Sequence, residues 1–199
     1  MRKLIAILAG AGALLAGSAT AATAHQTSGG FGYHTVRRGI PDGAARFAVA
    51  SPDVRDGGKF PADMFANAFG CAGTNARPRL RWSSPPDGTR SLAVTMYDPD
   101  APTGSGFWHW LAWDLPAGTR TLDAAEPAGT VDGTGDAGAP GYLGPCPPAG
   151  DVGHHYEITV YALDTPSLAL PASTPPAVAA FTMGPHVIAY GRLTVTARR

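Results

Sequence analysis

Three short blocks of the chain carry the side chains that could do chemistry: DPDAP from residue 98, WHW from residue 108, and HHY from residue 154. A carboxylate beside an imidazole favours the protonated ring and fixes its donor geometry. Asp98 next to His109 would therefore present a cation, or at least a directed N–H donor, to an oxygen of an anion. His154 and the Tyr156 hydroxyl would supply further donors. The three blocks together predict a small anion-binding pocket.

Strand periodicity predicts how these blocks are positioned. Ser91–Tyr97 alternates with a period of two and ends directly before the first block, whose two prolines then form a rigid loop at a sheet edge. In the second block, alternation places His109 on the face opposite both neighbouring tryptophans. In the third block, it places His154 and Tyr156 on one face of a neighbouring strand and His155 on the other.

The remaining elements predict a mainly β domain with a few short helices. Further strand-like runs lie at Phe47–Ala50, Arg79–Trp82, His109–Leu115, Tyr156–Leu163 and Leu193–Ala197. Residues 116–140 show no strand or helix periodicity, which predicts a long excursion of the chain on the surface, that is, a surface loop. Near the C-terminus, Thr174 can cap a helix that has Pro175 in its first turn and ends at Gly184-Pro185. A second short helical turn is expected from His186 to Tyr190.

Length and charge favour a single domain that does not bind nucleic acid. The chain has 199 residues, which fits one domain. Its 15 basic side chains cancel its 15 acidic ones, so no field of one sign exists to hold a phosphate backbone.

The N-terminus is typical of a secretory signal peptide. A basic start is followed by an apolar run from Leu4 to Leu15 and by small residues, with Ala-x-Ala sites that end at Ala21 and Ala24. The apolar run is shorter than the roughly 20 residues that a membrane span needs, and no cysteine follows for a lipid anchor. We predict a signal peptide at 1–24, a flexible lead-in at 25–40 and a folded domain at 41–199, in a secreted or periplasmic protein.

Export bears on the two cysteines, Cys71 and Cys146. An oxidising compartment allows two thiols to pair, whereas the cytosol would keep them reduced. We therefore expect one disulfide between them; two separate buried thiols are the alternative.

In their order and spacing, the blocks resemble the phosphatidylethanolamine-binding protein family, in its bacterial Raf-kinase-inhibitor-like branch. The resemblance extends from about Phe47 to Tyr190. It rests on FGCxGxN from residue 69, LxW from residue 80, DPDAPTGSGFWHW, GYLGPCPPAG and HHYEITVYALD. It implies a fold of two antiparallel β-sheets with short peripheral helices, and a small pocket that accepts phosphate and phosphorylated head groups.

The resemblance also implies the ligand-binding residues, which are Asp98, Asp100, His109, Pro147, Pro148, His154 and Tyr156. The chain departs from the bacterial pattern in two places. His155 stands where relatives usually have arginine, and Thr134-Gly135-Asp136 stand where they have Arg-Asn-Asp; the second change is expected to affect the pocket rim. The tight turn and the resemblance also predict at least one cis peptide bond, before Pro99 or Pro102.

The expected function is that of an exported, non-catalytic protein that binds a small anionic or phosphorylated ligand without a cofactor. Two alternatives remain open. Because the family includes inhibitors of kinases and of a serine carboxypeptidase, the first is a secreted protease inhibitor or another protein-interaction module. The second is a hydrolase that uses the His and Asp residues, although the chain has neither a complete zinc signature nor a GxSxG nucleophile elbow.

Overall fold

The computed structural model describes residues 39–123 and 125–199. In this part of the chain the strands are β1 (Ala45–Arg46), β2 (Val49–Ala50), β3 (Leu80–Trp82), β4 (Ser91–Asp98), β5 (Phe107–Pro116), β6 (Thr121–Leu122), β7 (Val131–Asp132), β8 (His154–Leu163) and β9 (Val187–Ala197). The helices described there are α1 (Pro176–Met183) and two 3₁₀ turns, Ala62–Met64 and Gly184–His186. Of these helices, none has the length and apolarity to cross a membrane. The predicted signal peptide, and the predicted lead-in as far as residue 38, lie outside the described residues.

The described strands form two sheets. A six-stranded sheet has the order β1-β9-β8-β4-β5-β7, and a three-stranded sheet has the order β2-β3-β6. The strand pairs are antiparallel, except that β1 runs parallel to β9. This architecture confirms the prediction of a mainly β fold with two sheets. The short parallel pair of β1 and β9 was not predicted. The predicted surface excursion at 116–140 contains the two-residue strands β6 and β7.

Strand β4 is the central platform of the larger sheet, and all eight of its residues are buried. On one face, Val94 packs into a core with Leu80 and Trp82 of the smaller sheet. On the other face, Ala93 packs into a second core that includes Met183 of α1. Full burial of an aliphatic side chain stabilises the fold by about 1.5–3 kcal/mol. The end of β4 is therefore a firmly held base for the residues that follow it.

The WHW block is arranged differently from its prediction, because strand β5 contains a bulge at His109. Met96 of β4 pairs with Trp110, whereas the next residue, Tyr97, pairs with Trp108, so that His109 is an extra residue on β5. A bulge of this kind interrupts the alternation of side chains. Trp110 consequently lies in the core between the sheets, and Trp108 lies against the opposite core with its ring 4.6 Å from that of Tyr97. The expectation that both tryptophans share one face is therefore wrong.

Two predictions about the C-terminal region are also wrong. Thr174 does not cap the helix, because its hydroxyl donates to the Pro171 carbonyl at 2.7 Å and Pro175 occupies the capping position. The helix does end at Met183, directly before Gly184, as predicted. The expected helical turn from His186 onward is instead strand β9 from Val187, because β9 pairs with β8 over almost its whole length.

Candidate functional site

A cavity of about 160 Å³ lies where the end of β4 meets the beginnings of β5 and β8. The antiparallel pairing brings these ends together, since Asp98 pairs with Phe107 and Tyr97 pairs with Glu157. The described residues that line the cavity are Phe69, Asp98, Ala101, Pro102, Thr103, Phe107, His109, Leu143, Cys146, Pro147, Pro148, His154 and Tyr156. Every residue predicted for the pocket is among them except Asp100.

Asp98 and His154 form a buried pair at the base of the cavity. Nδ1 of His154 lies 2.8 Å from Oδ2 of Asp98, and the two side chains are only 1% and 3% exposed. Burial by itself would lower the pKa of His154, but the hydrogen bond and charge of Asp98, with help from Asp151, outweigh it and raise the pKa above the usual value. Asp98 therefore charges an imidazole, as predicted, but the imidazole is that of His154 and not that of His109.

His109 is a neutral imidazole in this cavity. Its Nδ1 lies 3.2 Å from the carbonyl oxygen of Leu143, so Nδ1 carries the proton and donates, and Nε2 is left as an acceptor. Burial lowers the pKa of His109 to about 4. Its ring packs against Phe107 at 4.8 Å and Tyr156 at 5.1 Å between centroids. The prediction that His109 presents a cation, or at least a directed N–H donor, to the ligand is therefore wrong, because its N–H donates to Leu143.

The Tyr156 hydroxyl is buried and makes no hydrogen bond of ordinary geometry among the described residues, although the carboxylate of Asp98 lies close enough to interact with it. Burial raises the pKa of Tyr156, and the nearby charge of Asp98 raises it further, so the hydroxyl keeps its proton. A buried polar group without a partner costs about 1–3 kcal/mol. Within the described structure, this O–H is an unused donor at the cavity.

Asp100 and His155 form a second, more exposed pair outside the cavity. The carboxylate of Asp100 accepts hydrogen bonds from the backbone N–H of His155 at 2.7 Å and from its Nδ1 at 2.8 Å. Burial would raise the pKa of Asp100, but the two hydrogen bonds from His155 lower it by more. His155 faces away from His154 and Tyr156, which confirms the predicted alternation on β8. The pair joins the loop after β4 to the beginning of β8.

The loop after β4 contains no cis peptide bond, nor does any other part of residues 39–123 and 125–199. The chain turns instead through side-chain contacts with the backbone. Oδ1 of Asp98 accepts the N–H of Asp100 at 2.9 Å, and the Thr103 hydroxyl donates to the carbonyl of Gly106. These contacts close the loop with trans bonds, and the prediction of a cis proline is wrong.

The segment from Leu143 to Pro148 forms the opposite wall of the cavity. Asn75 holds it from both sides, because its Oδ1 accepts the N–H of Gly144 at 2.7 Å and its Nδ2 donates to the Tyr142 carbonyl at 3.2 Å. The predicted disulfide between Cys71 and Cys146 is present, with 5.9 Å between the Cα atoms. Asn75 and both cysteines thus connect the FGCxGxN motif directly to the cavity wall.

Among the residues of the site that were not found from the sequence are Asp151 and Phe69. Asp151 approaches Nε2 of His154 at 3.4 Å, and its only signal was an acidic residue three positions before a candidate histidine. Phe69 lines the cavity, and although its motif was noted, nothing in that motif assigned a role to its ring. Thr134–Asp136, the segment that departs from the bacterial pattern, does not line the cavity. Among the described residues, no cluster of three or more His, Cys, Asp or Glu could hold a metal ion.

Comparison with known proteins gives consistent matches over most of the chain. The sequence model of the phosphatidylethanolamine-binding protein family matches residues 50–198. YbcL and YbhB of Escherichia coli are 40% and 41% identical over 159 and 153 residues, which covers 76% and 73% of this chain and 87% and 96% of theirs. The crystal structure of YbcL, described as a new member of the mammalian PEBP family, matches with a TM-score of 0.75 at 37% identity, over 78% of this chain and 99% of that one. The putative lipoprotein LppC of Mycobacterium tuberculosis is 40% identical over 131 residues, or 65% of this chain and 62% of its own length.

Proposed function

The chain belongs to the phosphatidylethanolamine-binding protein family, and from that premise we propose that it is an exported, non-catalytic protein that binds a small anion or a phosphorylated head group in the cavity at the end of β4. The observation that carries the proposal is the unpartnered hydroxyl of Tyr156 beside the buried pair of His154 and Asp98.

These groups can offer donors to an anion because the carboxylate of Asp98 is engaged within the protein. Both oxygens of Asp98 are engaged within the protein, one by His154 and the other by the N–H of Asp100. When His154 is protonated, its charge offsets that of Asp98. The O–H of Tyr156 is then available to a ligand oxygen, and Nε2–H of His154, which faces Asp151 at 3.4 Å, can be shared with one. An anion in the cavity would supply the hydrogen bond that Tyr156 lacks within the described part of the chain.

His109 adds a condition on the ligand. Because Nε2 of His109 is an acceptor, a ligand group near it should carry a proton. A phosphate monoester has a second pKa of about 6 and is partly protonated at neutral pH, and an amino group on a head group would also donate. This chemistry favours phosphorylated ligands over sulfate.

The same groups support a binding role over a catalytic one. A histidine with a pKa of about 4 is a weak general base at neutral pH. The Tyr156 hydroxyl is a poor nucleophile, because burial raises its pKa and keeps it protonated.

Export is supported by three features. The first 24 residues have the pattern of a signal peptide, the chain carries a disulfide, and the relative LppC is named a putative lipoprotein. N-terminal sequencing of the released protein should begin at His25, or at Ala22 if cleavage follows Ala21.

The binding proposal can be tested by removing one oxygen atom. Tyr156→Phe should weaken the binding of inorganic phosphate at pH 6 by at least about tenfold, because a hydrogen bond to a charged group is worth about 1.5–3 kcal/mol. The thermal midpoint should stay the same or rise, since the hydroxyl makes no hydrogen bond of ordinary geometry with the described residues. Isothermal titration calorimetry and a thermal melt measure the two effects.

Tyr142→Phe is the matched control. The hydroxyl of Tyr142 is also buried and unpartnered in the described structure, but Tyr142 does not line the cavity. This variant should bind phosphate with unchanged affinity. If Tyr156→Phe binds as tightly as the parent protein, or if the parent binds no phosphate, the proposal is wrong.

A further inference from the structure

The cavity has a floor and a mouth of different chemistry. The floor consists of buried polar side chains, Asp98, His109, His154 and Tyr156. The mouth consists of exposed lining residues, Phe69, Pro102, Thr103 and Pro148. Phe69 is the large aromatic side chain of the mouth, and 66% of it is exposed to solvent. Its ring is therefore available to a molecule that occupies the cavity.

Phe69 occupies a backbone position that ordinarily selects a different residue. The N–H of Cys71 donates to the carbonyl of Ala68 at 3.0 Å, which closes a β-turn. The two central residues, Phe69 and Gly70, have φ angles of +53° and +77°. Positive φ at both central positions is the pattern of a type I′ turn, for which Asn-Gly is strongly preferred. A bulky aromatic residue is rare with a positive φ, and such outliers concentrate at ligand sites.

Two cross-links hold this turn at the cavity. The disulfide joins Cys71, at the end of the turn, to Cys146, which lines the cavity. The guanidinium of Arg199 donates to the carbonyl of Gly70, in the middle of the turn. The ring of Phe69 is consequently presented at the mouth by a constrained turn.

We propose that Phe69 is a specificity residue, which selects anions that carry a compact aromatic or apolar substituent on the charged group. This inference rests on the proposed function, because it assumes that the anion itself binds at the floor. The volume of about 160 Å³ corresponds to about five water molecules at liquid density. An oxyanion on the floor therefore leaves space for a substituent that extends toward the mouth and packs against the ring of Phe69.

Two sulfonates of equal charge test the inference. Benzenesulfonate and methanesulfonate are both fully ionised at pH 6 and differ only in the substituent. The parent protein should bind benzenesulfonate about three- to tenfold more tightly, as expected for one aromatic contact. Phe69→Asn should abolish this preference and leave the affinity for methanesulfonate within about twofold of the parent. Calorimetry gives both affinities.

The variant also separates a binding role from a structural one. Asparagine suits the turn better than phenylalanine, so the thermal midpoint of Phe69→Asn should be unchanged or higher while the preference is lost. Phe181→Ala is the control, because Phe181 is 82% exposed on α1 and does not line the cavity. This control variant should keep the parent's preference.

The outcomes distinguish this inference from the proposed function. If both sulfonates bind the parent equally well, or if Phe69→Asn keeps the preference, Phe69 is not a specificity residue, although the anion site stands. If the parent binds phosphate but neither sulfonate, the inference is wrong although the anion site stands. If it binds neither sulfonate and no phosphate, the proposed function is wrong and the inference fails with it.

Discussion

Replacing Asp98 by asparagine tests the buried ion pair on which the proposed site depends. The substitution keeps the shape of the side chain and removes its charge. In the parent protein, Asp98 raises the pKa of His154 against the effect of burial. In Asp98→Asn, burial of the imidazole acts without that charge, so the pKa of His154 should fall.

The sign of the stability effect follows from this shift. A histidine whose pKa is higher in the folded than in the unfolded state stabilises the fold fully below its unfolded pKa, about 6.5. That stabilisation is lost as the pH rises through the folded pKa. The difference in stability between the parent and Asp98→Asn should therefore be largest below about pH 6.5, and should shrink toward pH 8.5.

The magnitude follows from the loss of a charge-assisted hydrogen bond between groups that are 1% and 3% exposed. Such a bond is worth about 1.5–3 kcal/mol, and because asparagine can still accept a neutral one we expect a loss of about 2 kcal/mol. For a domain of this size, this lowers the thermal midpoint by about 4–8 °C. Melts of both proteins at half-unit steps from pH 5.5 to 8.5 measure the difference, and NMR titration of His154 gives its pKa directly.

Asp164→Asn is the control for this experiment. Asp164 and His186 form the same kind of pair at the same distance, 2.8 Å, but their side chains are 50% and 42% exposed. Exposed ion pairs contribute about 0–1 kcal/mol, so this variant should melt within about 3 °C of the parent at every pH. A difference between parent and Asp98→Asn that stays constant across this pH range would refute the assignment of Asp98 as the partner that charges His154.

Two further predictions follow from the site and its wall. Calorimetry should show that sulfate binds more tightly at pH 6 than at pH 8, because the anion stabilises protonated His154. The variant His109→Gln should keep this pH dependence, since His109 is already neutral above about pH 4. If the pH dependence disappears in His109→Gln, His109 is the titrating group. Free-thiol titration of the denatured, unreduced protein should find no thiol. The double variant Cys71→Ser, Cys146→Ser should lose about 4 kcal/mol of unfolding free energy in urea, because the disulfide closes a loop of 75 residues. An unchanged urea midpoint would contradict this value.

The parts of the fold that could be predicted are those whose structure is determined by the local sequence pattern. Strands β4 and β8 are long runs with both faces buried, and their patterns located them to within two residues. The facing of His154, His155 and Tyr156 was predicted correctly because β8 has no irregularity there. The family resemblance, carried by motifs in a fixed order, supplied the remaining pocket residues.

The incorrect predictions concern regions whose structure depends on pairing between segments that are distant in the sequence. The bulge at His109 is a mismatch of two residues on β5 against one on β4, and neither sequence shows it alone. Strand β9 begins at Val187 because β8 offers it a partner over that length, which overrides the local preference for a turn. The same applies to Phe69, whose role depends on a turn that a disulfide to residue 146 holds in place.

The position of the positive charge has consequences for ligand chemistry. With the charge on His109, both nitrogens of its imidazole would carry protons, and His109 would offer an anion a donor in place of an acceptor. The register of β4 against β8 instead brings Asp98 to His154, and His109 turns its Nδ1 to the Leu143 carbonyl. The floor then contains donors, from His154 and Tyr156, together with an acceptor on His109, in addition to the carboxylate of Asp98, which is engaged within the protein. An acceptor facing a fully ionised oxyanion is repelled, whereas a ligand that also carries a proton satisfies both kinds of group. The pairing of two strands would therefore give the proposed site a means to discriminate between sulfate and a monoprotonated phosphate of the same shape.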